Sequence, residues 1–328
     1  MEKILVIGAN GQIGSELTAA LAERHGAANV LAADIGGHSR YGAARYQRLD
    51  VLDRARLAQL VADNGITQVY QLAAMLSATG EQAPLAAWNL NMNGLLNVLE
   101  VARERGEAGV PLSVFWPSSI AVFGPHTPAD GTPQDTVMDP SSMYGISKLA
   151  GERLCEYYFQ HYGVDVRSIR YPGVISYKSP PGGGTTDYAI AMLYAAAAGE
   201  DYTSFLGPDS TLPMIYIPDA LRATLELMAA PAARIRVRSS YNVAGVSFSP
   251  SELARQIAAR RPGFRVHYQP DERQAIADSW PHSIDDSAAC ADWGWRAEIG
   301  LERMVDDMLA NIPAHQPSHK PAGVPRVA

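Results

Sequence analysis

The sequence predicts an α/β protein built on a doubly wound parallel sheet, with a smaller and mostly helical second domain. Three observations carry this. Short runs of Ile, Leu and Val alternate with amphipathic helical stretches through the first half. The first run ends in closely spaced glycines. After Pro172 the alternation gives way to a Pro/Gly-rich loop and successive helical patterns. Strands covered on both faces read as continuous apolar runs, and each parallel crossover needs a helix between two of them.

The elements follow in order. Residues 3–8 read as the first strand and 12–23 as a helix with Leu17, Ala20 and Leu21 on one face. Residues 30–33, ending at Asp34, then 69–72, 112–116 and 166–169 continue the strands, and 54–63, 85–105 and 145–161 read as the helices between them. Past Pro172, Pro180-Pro181-Gly182-Gly183-Gly184 is a loop by composition. Helical patterns cover 187–199, 219–229, 251–260 and 301–311, the middle two opened by Pro218-Asp219 and Pro250-Ser251. Residues 241–244 are expected to return to the sheet as a strand. The segment 313–328 holds four prolines and few large apolar groups, the composition of a disordered tail.

Composition excludes several classes. Apolar residues make up 47% and charged residues 19% of 328, the balance of a globular protein. Lys and Arg total 27 against 34 Asp and Glu, a net charge of −7 with no basic stripe, so nucleic acid is not an expected partner. The strongly apolar stretch 189–198 is far too short to span a bilayer, so no membrane is expected either. With an apolar strand directly after Met1-Glu2-Lys3, no leader is expected. Cys155 and Cys290 form neither a disulfide framework nor a metal-ligand pair, and Cys155 is expected buried in a helix beside Leu154, Tyr157 and Tyr158. A reducing, cytoplasmic setting without a metal is the expectation.

Gly8, Gly11 and Gly14, with Gln12 and Ile13 between them, join the first strand to the first helix. Glycines there let the backbone turn tightly beneath a pyrophosphate, whose charge is met by free N–H groups at the helix start. Asp34, ending the next strand, is placed to accept from the hydroxyls of an adenosine ribose and to repel a 2′-phosphate, which favours NAD over NADP. Arg40 and Arg45 follow closely enough to keep NADP open.

Tyr144 and Lys148 stand four residues apart on one face of a helical pattern. With 15 tyrosines and only four lysines, random placement gives about 0.2 such pairs, so the match is informative. A neighbouring ammonium is expected to lower the phenol pKa and make Tyr144 a general base. Ser118 and Ser119 follow the strand-like run 112–116, at the sheet edge where ligands collect, and either hydroxyl can hold a reacting oxygen.

Together these residues resemble the extended branch of the short-chain dehydrogenase/reductase superfamily, from residue 1 to about 311. Further landmarks are Asp50-Val51, Leu72-Ala73-Ala74, Asn91-Met92-Asn93-Gly94 and Arg170-Tyr171-Pro172-Gly173. The resemblance implies a Rossmann NAD-binding domain over 1–171, joined again by 214–245, and a substrate domain over 172–213 and 246–312. It implies that Asp50 and Val51 flank the adenine, that Leu72, Ala73 and Ala74 line the cofactor, and that Asn91 contacts its nicotinamide side. Tyr171 and Pro172 lead into the segment that closes over the nicotinamide. The serine 25 residues before the tyrosine is the catalytic one in that family, which selects Ser119. Family members commonly pair into homodimers through two helices, here 85–105 and 145–161.

A second set of segments narrows the match: Ala74-Met75-Leu76-Ser77-Ala78, Trp116 to Gly124, Gly182 to Tyr188, Trp280-Pro281-His282-Ser283-Ile284-Asp285-Asp286 and Asp292-Trp293-Gly294-Trp295. These resemble the short-chain L-threonine 3-dehydrogenases. That likeness implies an NAD-linked oxidation of a small amino-acid substrate, with Ser77, Thr185 and Thr186 near it beside Ser119 and Tyr144. Thr185 or Thr186 also reads as a helix cap. Another reading is a nucleotide-sugar epimerase or dehydratase, whose second pyrophosphate would fall to Arg234, Arg236 and Arg238 on a strand-like segment. A non-catalytic dinucleotide sensor is the reading from outside enzymology, and an intact Tyr144, Lys148 and Ser119 set argues against it.

Overall fold

The computed structural model describes residues 2–39, 42, 45–178, 182 and 184–312. Arg40, the loop positions Pro180, Pro181 and Gly183, and the tail from Pro313 lie outside the described residues. In chain order the strands are β1 (Ile4–Ile7), β2 (Val30–Asp34), β3 (Tyr46–Arg48), β4 (Gln68–Gln71), β5 (Ser113–Ser119), β6 (Val166–Tyr171), β7 (Gly173–Ile175), β8 (Tyr202–Ser204), β9 (Leu212–Tyr216), β10 (Tyr241–Asn242), β11 (Val246–Phe248) and β12 (Val266–Tyr268). The α-helices are α1 (Gln12–His25), α2 (Arg54–Asp63), α3 (Ser77–Gln82), α4 (Pro84–Trp88), α5 (Gly94–Glu107), α6 (Met143–Tyr162), α7 (Tyr188–Ala198), α8 (Ile217–Ala229), α9 (Pro250–Arg260), α10 (Arg273–Asp278), α11 (Ser287–Trp293) and α12 (Leu301–Asn311).

Seven strands form one parallel sheet in the order β3-β2-β1-β4-β5-β6-β10. Successive side chains in its centre serve opposite layers. Ile4 and Val6 of β1 enter the core with α1 and α8, while Leu5 and Ile7 enter the core with α2, α5 and α6. In β2, Val30 and Ala32 divide from Leu31 and Ala33 in the same way. Each buried aliphatic side chain is worth about 1.5–3 kcal/mol, so a one-residue slip, which sends every one of them to the wrong layer, is strongly disfavoured. β10 returns from late in the chain and pairs with β6, Tyr241 opposite Ile169, as the apolar run at 241 suggested. A three-stranded sheet, β11-β9-β7, and the parallel pair β12-β8 make up the rest.

Local chemistry sets the helix ends. Asp53 accepts from Arg56 N at 2.9 Å to start α2, Ser142 accepts from Gly145 N at 3.1 Å to start α6, and Ser249 with Glu252 forms a capping box on α9. α6 stops at Gly163, whose φ of 66° is open to glycine at little cost. Two expectations are corrected. The helix read over 85–105 is interrupted: α4 and α5 are joined by a π-helical turn, Asn89–Asn93. The strand-like segment with Arg234, Arg236 and Arg238 is a 3₁₀ turn, Ala232–Arg234, followed by irregular chain, because the Tyr241 hydroxyl takes the backbone N–H groups of Arg236 and Val237 that a ladder would need. Cys155 is buried as expected. Among the described residues no helix is long and apolar enough to cross a membrane.

Candidate functional site

Strand order reverses at β1, with β2 on one side and β4 on the other, and a crevice opens above their C-terminal ends. Gly8 turns the chain there with φ at +82°, and Gly11 N closes the turn on Gly8 O at 3.1 Å. A Cβ on Gly14 would stand 2.1 Å from Gly8 O, and one on Gly8 would stand 2.7 Å from Ala73 N. Side chains at either position are therefore excluded by backbone. Gly11 caps α1 without a side chain, so the first amides of that helix face the crevice with no internal acceptor. Gly8, Gly11, Gln12, Ile13 and Gly14 all line one cavity of about 260 Å³. This backbone cradle fits a dinucleotide pyrophosphate.

Asp34 ends β2 beside the turn, and its carboxylate accepts from Asn10 N at 3.0 Å and Gly36 N at 3.4 Å. Four lone-pair positions leave acceptors over for ribose hydroxyls. Arg45 is turned elsewhere, to Ala28 O and Asn64 Oδ1, so of the two arginines that kept NADP open the described one does not face Asp34. Asp50 holds the next turn through Leu52 N, and Val51 is buried against Gly94. Leu72 and Ala74 line the cavity, whereas Ala73, Asp34, Asp50 and Val51 lie outside its wall. Asn91 also lies off the wall. Its side chain accepts from Met75 N at 2.8 Å and donates to Met75 O and Ser147 Oγ, which ties the segment before Ser77 to α6. The π-helical turn orients that side chain, and no apolar periodicity announces such a turn.

Ser119, Tyr144 and Lys148 meet on the same wall, Ser119 from the end of β5 and the other two from the first turns of α6. The structure separates the neighbouring serines. Ser118 donates to Glu152 Oε1 at 2.6 Å, while Ser119 Oγ accepts from Ala121 N at 3.2 Å and is left as the hydroxyl beside the Tyr144 phenol. Burial pushes the phenol up to about 12, with the Ser119 bond pulling the other way. Burial pushes the Lys148 ammonium down to about 7, opposed by the Glu152 carboxylate. The expected lowering of the tyrosine by the lysine is thus corrected. Lys148 Nζ donates to Pro117 O at 2.5 Å, lies 4.5 Å from the centre of the Trp116 ring and 5.5 Å from that of Tyr144, and desolvation dominates both groups.

The same cavity is lined by Ser77, Thr185 and Thr186, and by Tyr171 and Pro172. Thr185 is 1% exposed and its Oγ1 has no protein partner. Thr186 packs against Gly173, where a Cβ would come within 2.7 Å of it. A cap by either threonine is not what forms: residues Thr185–Asp187 make a 3₁₀ turn in which Asp187 accepts from Gly182 N and Gly184 N. Sequence reasoning omitted Leu76, Asp187, Val174 and Trp280 from the wall. Trp280 lies in one of the segments that narrow the match, but a tryptophan beside a proline fits a core as well as a wall, and nothing local decides between them. Among the described residues Lys148 is the only basic side chain lining this cavity. Arg236 pairs with Asp292, and Arg238 pairs with Asp165 and stacks over Phe159, all away from it.

Residues 4–244 match the model of the NAD dependent epimerase/dehydratase family. An uncharacterized epimerase/dehydratase of Staphylococcus saprophyticus is 45% identical over 94% of this chain and 96% of its own length. The holo form of an L-threonine dehydrogenase from Cupriavidus necator superposes with a TM-score of 0.92 at 60% identity, covering 94% of this chain and 99% of that one. A monomeric L-threonine 3-dehydrogenase from a metagenome, in its apo form, superposes at 0.90 with 44% identity, covering 94% and 98%.

Proposed function

The chain belongs to the NAD-dependent epimerase/dehydratase family and uses NAD; from that premise we propose that it is an L-threonine 3-dehydrogenase. The observation that carries the reading is the cavity wall, where Ser119, Tyr144 and Lys148 share one lining with Ser77, Thr185 and Thr186, and no second basic side chain joins Lys148 among the described residues. A nucleotide sugar brings a second pyrophosphate whose charge would go unmatched there. A zwitterionic amino acid needs only hydrogen-bond partners of both kinds, which hydroxyls supply. The unpartnered Thr185 Oγ1 is one such group.

Gly8, Gly11, Gln12, Ile13 and Gly14 would hold the NAD pyrophosphate and Asp34 its adenosine ribose, with Asp50 and Val51 toward the adenine. Leu72, Ala73, Ala74, Tyr171 and Pro172 would border the nicotinamide half, and Asn91 acts on that side through the Met75 backbone. NAD bound in this way supplies the acceptor for the hydride that leaves Cβ of threonine. Ser119 donates to the substrate hydroxyl oxygen and keeps its bond as that oxygen becomes a carbonyl. Tyr144 takes the hydroxyl proton, and the product is 2-amino-3-ketobutyrate. Lys148, when charged, favours the phenolate. General-base assistance of this kind is worth roughly 10²–10⁴-fold.

The test follows the reduced-nicotinamide absorbance after adding NAD with L-threonine or with UDP-glucose. Reduction is expected with threonine alone; no reduction with threonine, together with conversion of UDP-glucose to another sugar nucleotide on a chromatogram, would transfer the reading to epimerase or dehydratase chemistry, which returns the hydride and leaves no reduced NAD. Tyr144→Phe should lose at least about 10²-fold in kcat while binding NAD within about twofold of the parent; near-normal turnover removes Tyr144 from the mechanism.

A further inference from the structure

Behind the Ser119, Tyr144 and Lys148 group lies a buried polar network that the mechanism above does not use. Glu152 is on α6, one turn past Lys148, and is 0% exposed. Its Oε1 accepts from Ser118 Oγ at 2.6 Å and from Arg170 Nε at 2.9 Å, and its Oε2 accepts from Arg170 Nη2 at 2.8 Å. Ser118 and Arg170 are opposite one another in the β5–β6 ladder. Arg170, 1% exposed, gives its remaining bonds to Gln134 O and Asn242 Oδ1 at 2.9 and 3.0 Å, and Asn242 belongs to β10. One carboxylate thus ties α6 to two adjacent strands. The residue before Ser118 supplies the carbonyl that holds Lys148, and the residue after it is Ser119.

We propose that Glu152 is a positioning residue for the reaction: it sets the seating of α6 on β5, and so the spacing of Ser119 from Tyr144, and it supplies the negative charge nearest to Lys148. The inference rests on the dehydrogenase reading for its kinetic consequence but not for the network itself. A buried ion pair is favourable only when its remaining donors and acceptors are met, and here they are. Lys148 faces Tyr144, Glu152 and Cys155 from its own helix and, behind Glu152, Arg170 from β6; β5 offers only the Pro117 carbonyl and the Trp116 ring. Glu152 acts to keep Lys148 charged, against its burial, while the buried Cys155 thiol, pushed far up by desolvation, is neutral there. Removing the Glu152 charge should therefore make Lys148 lose its proton at lower pH and shrink the fraction of the pair that has a charged amine beside a phenolate.

The test uses the full-length chain labelled with ¹³C at the lysine ε-carbon. With four lysines, the Lys148 signal is assigned by its loss in Lys148→Arg. Glu152→Gln keeps the side-chain shape and removes the charge. Its Lys148 midpoint should move down by about one pH unit and kcat with threonine should fall about tenfold, with KM for threonine and affinity for NAD within about twofold. A folded Glu152→Gln protein with the parental midpoint and kcat overturns the proposal. That variant leaves Arg170 buried without its counter-charge and can fail to fold, so Ser118→Ala is the second probe, keeping the ion pair and cutting the tie to β5. It should leave the Lys148 midpoint in place and lower kcat at least about threefold at unchanged KM; unchanged kcat overturns the positioning role. If the parent chain oxidises no threonine, the proposed substrate falls, while the lysine titration still decides whether Glu152 acts on Lys148.

Discussion

Lys148 Nζ lies 5.5 Å from the centre of the Tyr144 ring, and the order in which the two groups lose their protons decides the pH behaviour. The amine releases its proton near 7 and the phenol near 12, so the ordinary one-proton state is neutral amine beside phenol. The competent arrangement, charged amine beside phenolate, also has one proton and is a fixed minor fraction of that state. Below about pH 7 both groups hold protons, and the competent fraction grows tenfold per pH unit as pH rises. Above it the pair has one proton to share and the fraction stays level until the phenol ionises. A plot of log kcat for threonine against pH should therefore rise with a slope near one and flatten above about pH 7. A slope of one persisting beyond about pH 9 would mean that Lys148 keeps its charge and burial does not govern it. Spacing alone made these two residues legible as partners, because four residues is one helical turn. It carried no sign for their shifts, which depend on what the Pro117 carbonyl, the Trp116 ring and Glu152 place around the amine. The choice between Ser118 and Ser119 was likewise open in the residues themselves, and Glu152, 33 residues from Ser119, is what separates them.

At the scale of elements, the site depends on how closely α6 approaches β5 and the 3₁₀ turn after it, Ile120–Val122. Two glycines make that approach. A Cβ on Gly145 would stand 2.1 Å from Ala121 O, and one on Gly151 would stand 2.3 Å from the Trp116 ring. Gly151→Ala sets a helix-propensity gain of about 1 kcal/mol against an overpacking cost of about 1–3 kcal/mol. The Trp116 ring is 3% exposed and cannot swing away, so overpacking wins. The variant should lose about 1–2 kcal/mol in urea unfolding and also lose turnover, since Lys148 rests on the same ring; a more stable, fully active variant would show that α6 shifts without consequence. Long amphipathic helices were legible because apolar periodicity reports the buried face directly: α2 and α12 begin and end where it predicted. The short strands β3, β8 and β12 were not, since three residues hold less than two periods, and their pairing partners lie far away in the chain. The π-helical turn at Asn91 was missed for a related reason. Its extra residue is held by bonds to Met75 and Ser147 and not by any local preference.

For the whole molecule, the expected homodimer is a proposal with a visible surface. Leu85 is 84% exposed and Trp88 41% on α4, and Ile146, Tyr157 and Tyr162 are exposed on α6, which packs beside α4 and α5. Apolar side chains so concentrated on neighbouring helices need a cover. A metagenomic homologue is monomeric, so the outcome is informative. Sedimentation equilibrium should return twice the chain mass, and Leu85→Glu with Tyr157→Glu should return it once; a monomeric parent chain refutes the pairing. What the residues determined unaided was the order of layers, the glycine turn at the sheet's first strand and the Tyr144–Lys148 pair, because each is encoded within one or two turns of chain. What only the tertiary structure decided was which distant groups surround them: the single cavity shared by Ser77, Ser119 and Thr185, the diversion of Arg236 and Arg238 into ion pairs, and the burial that reverses the expected charge balance of the catalytic pair. Desolvation and long-range contacts belong to the packed chain, and no local pattern records them.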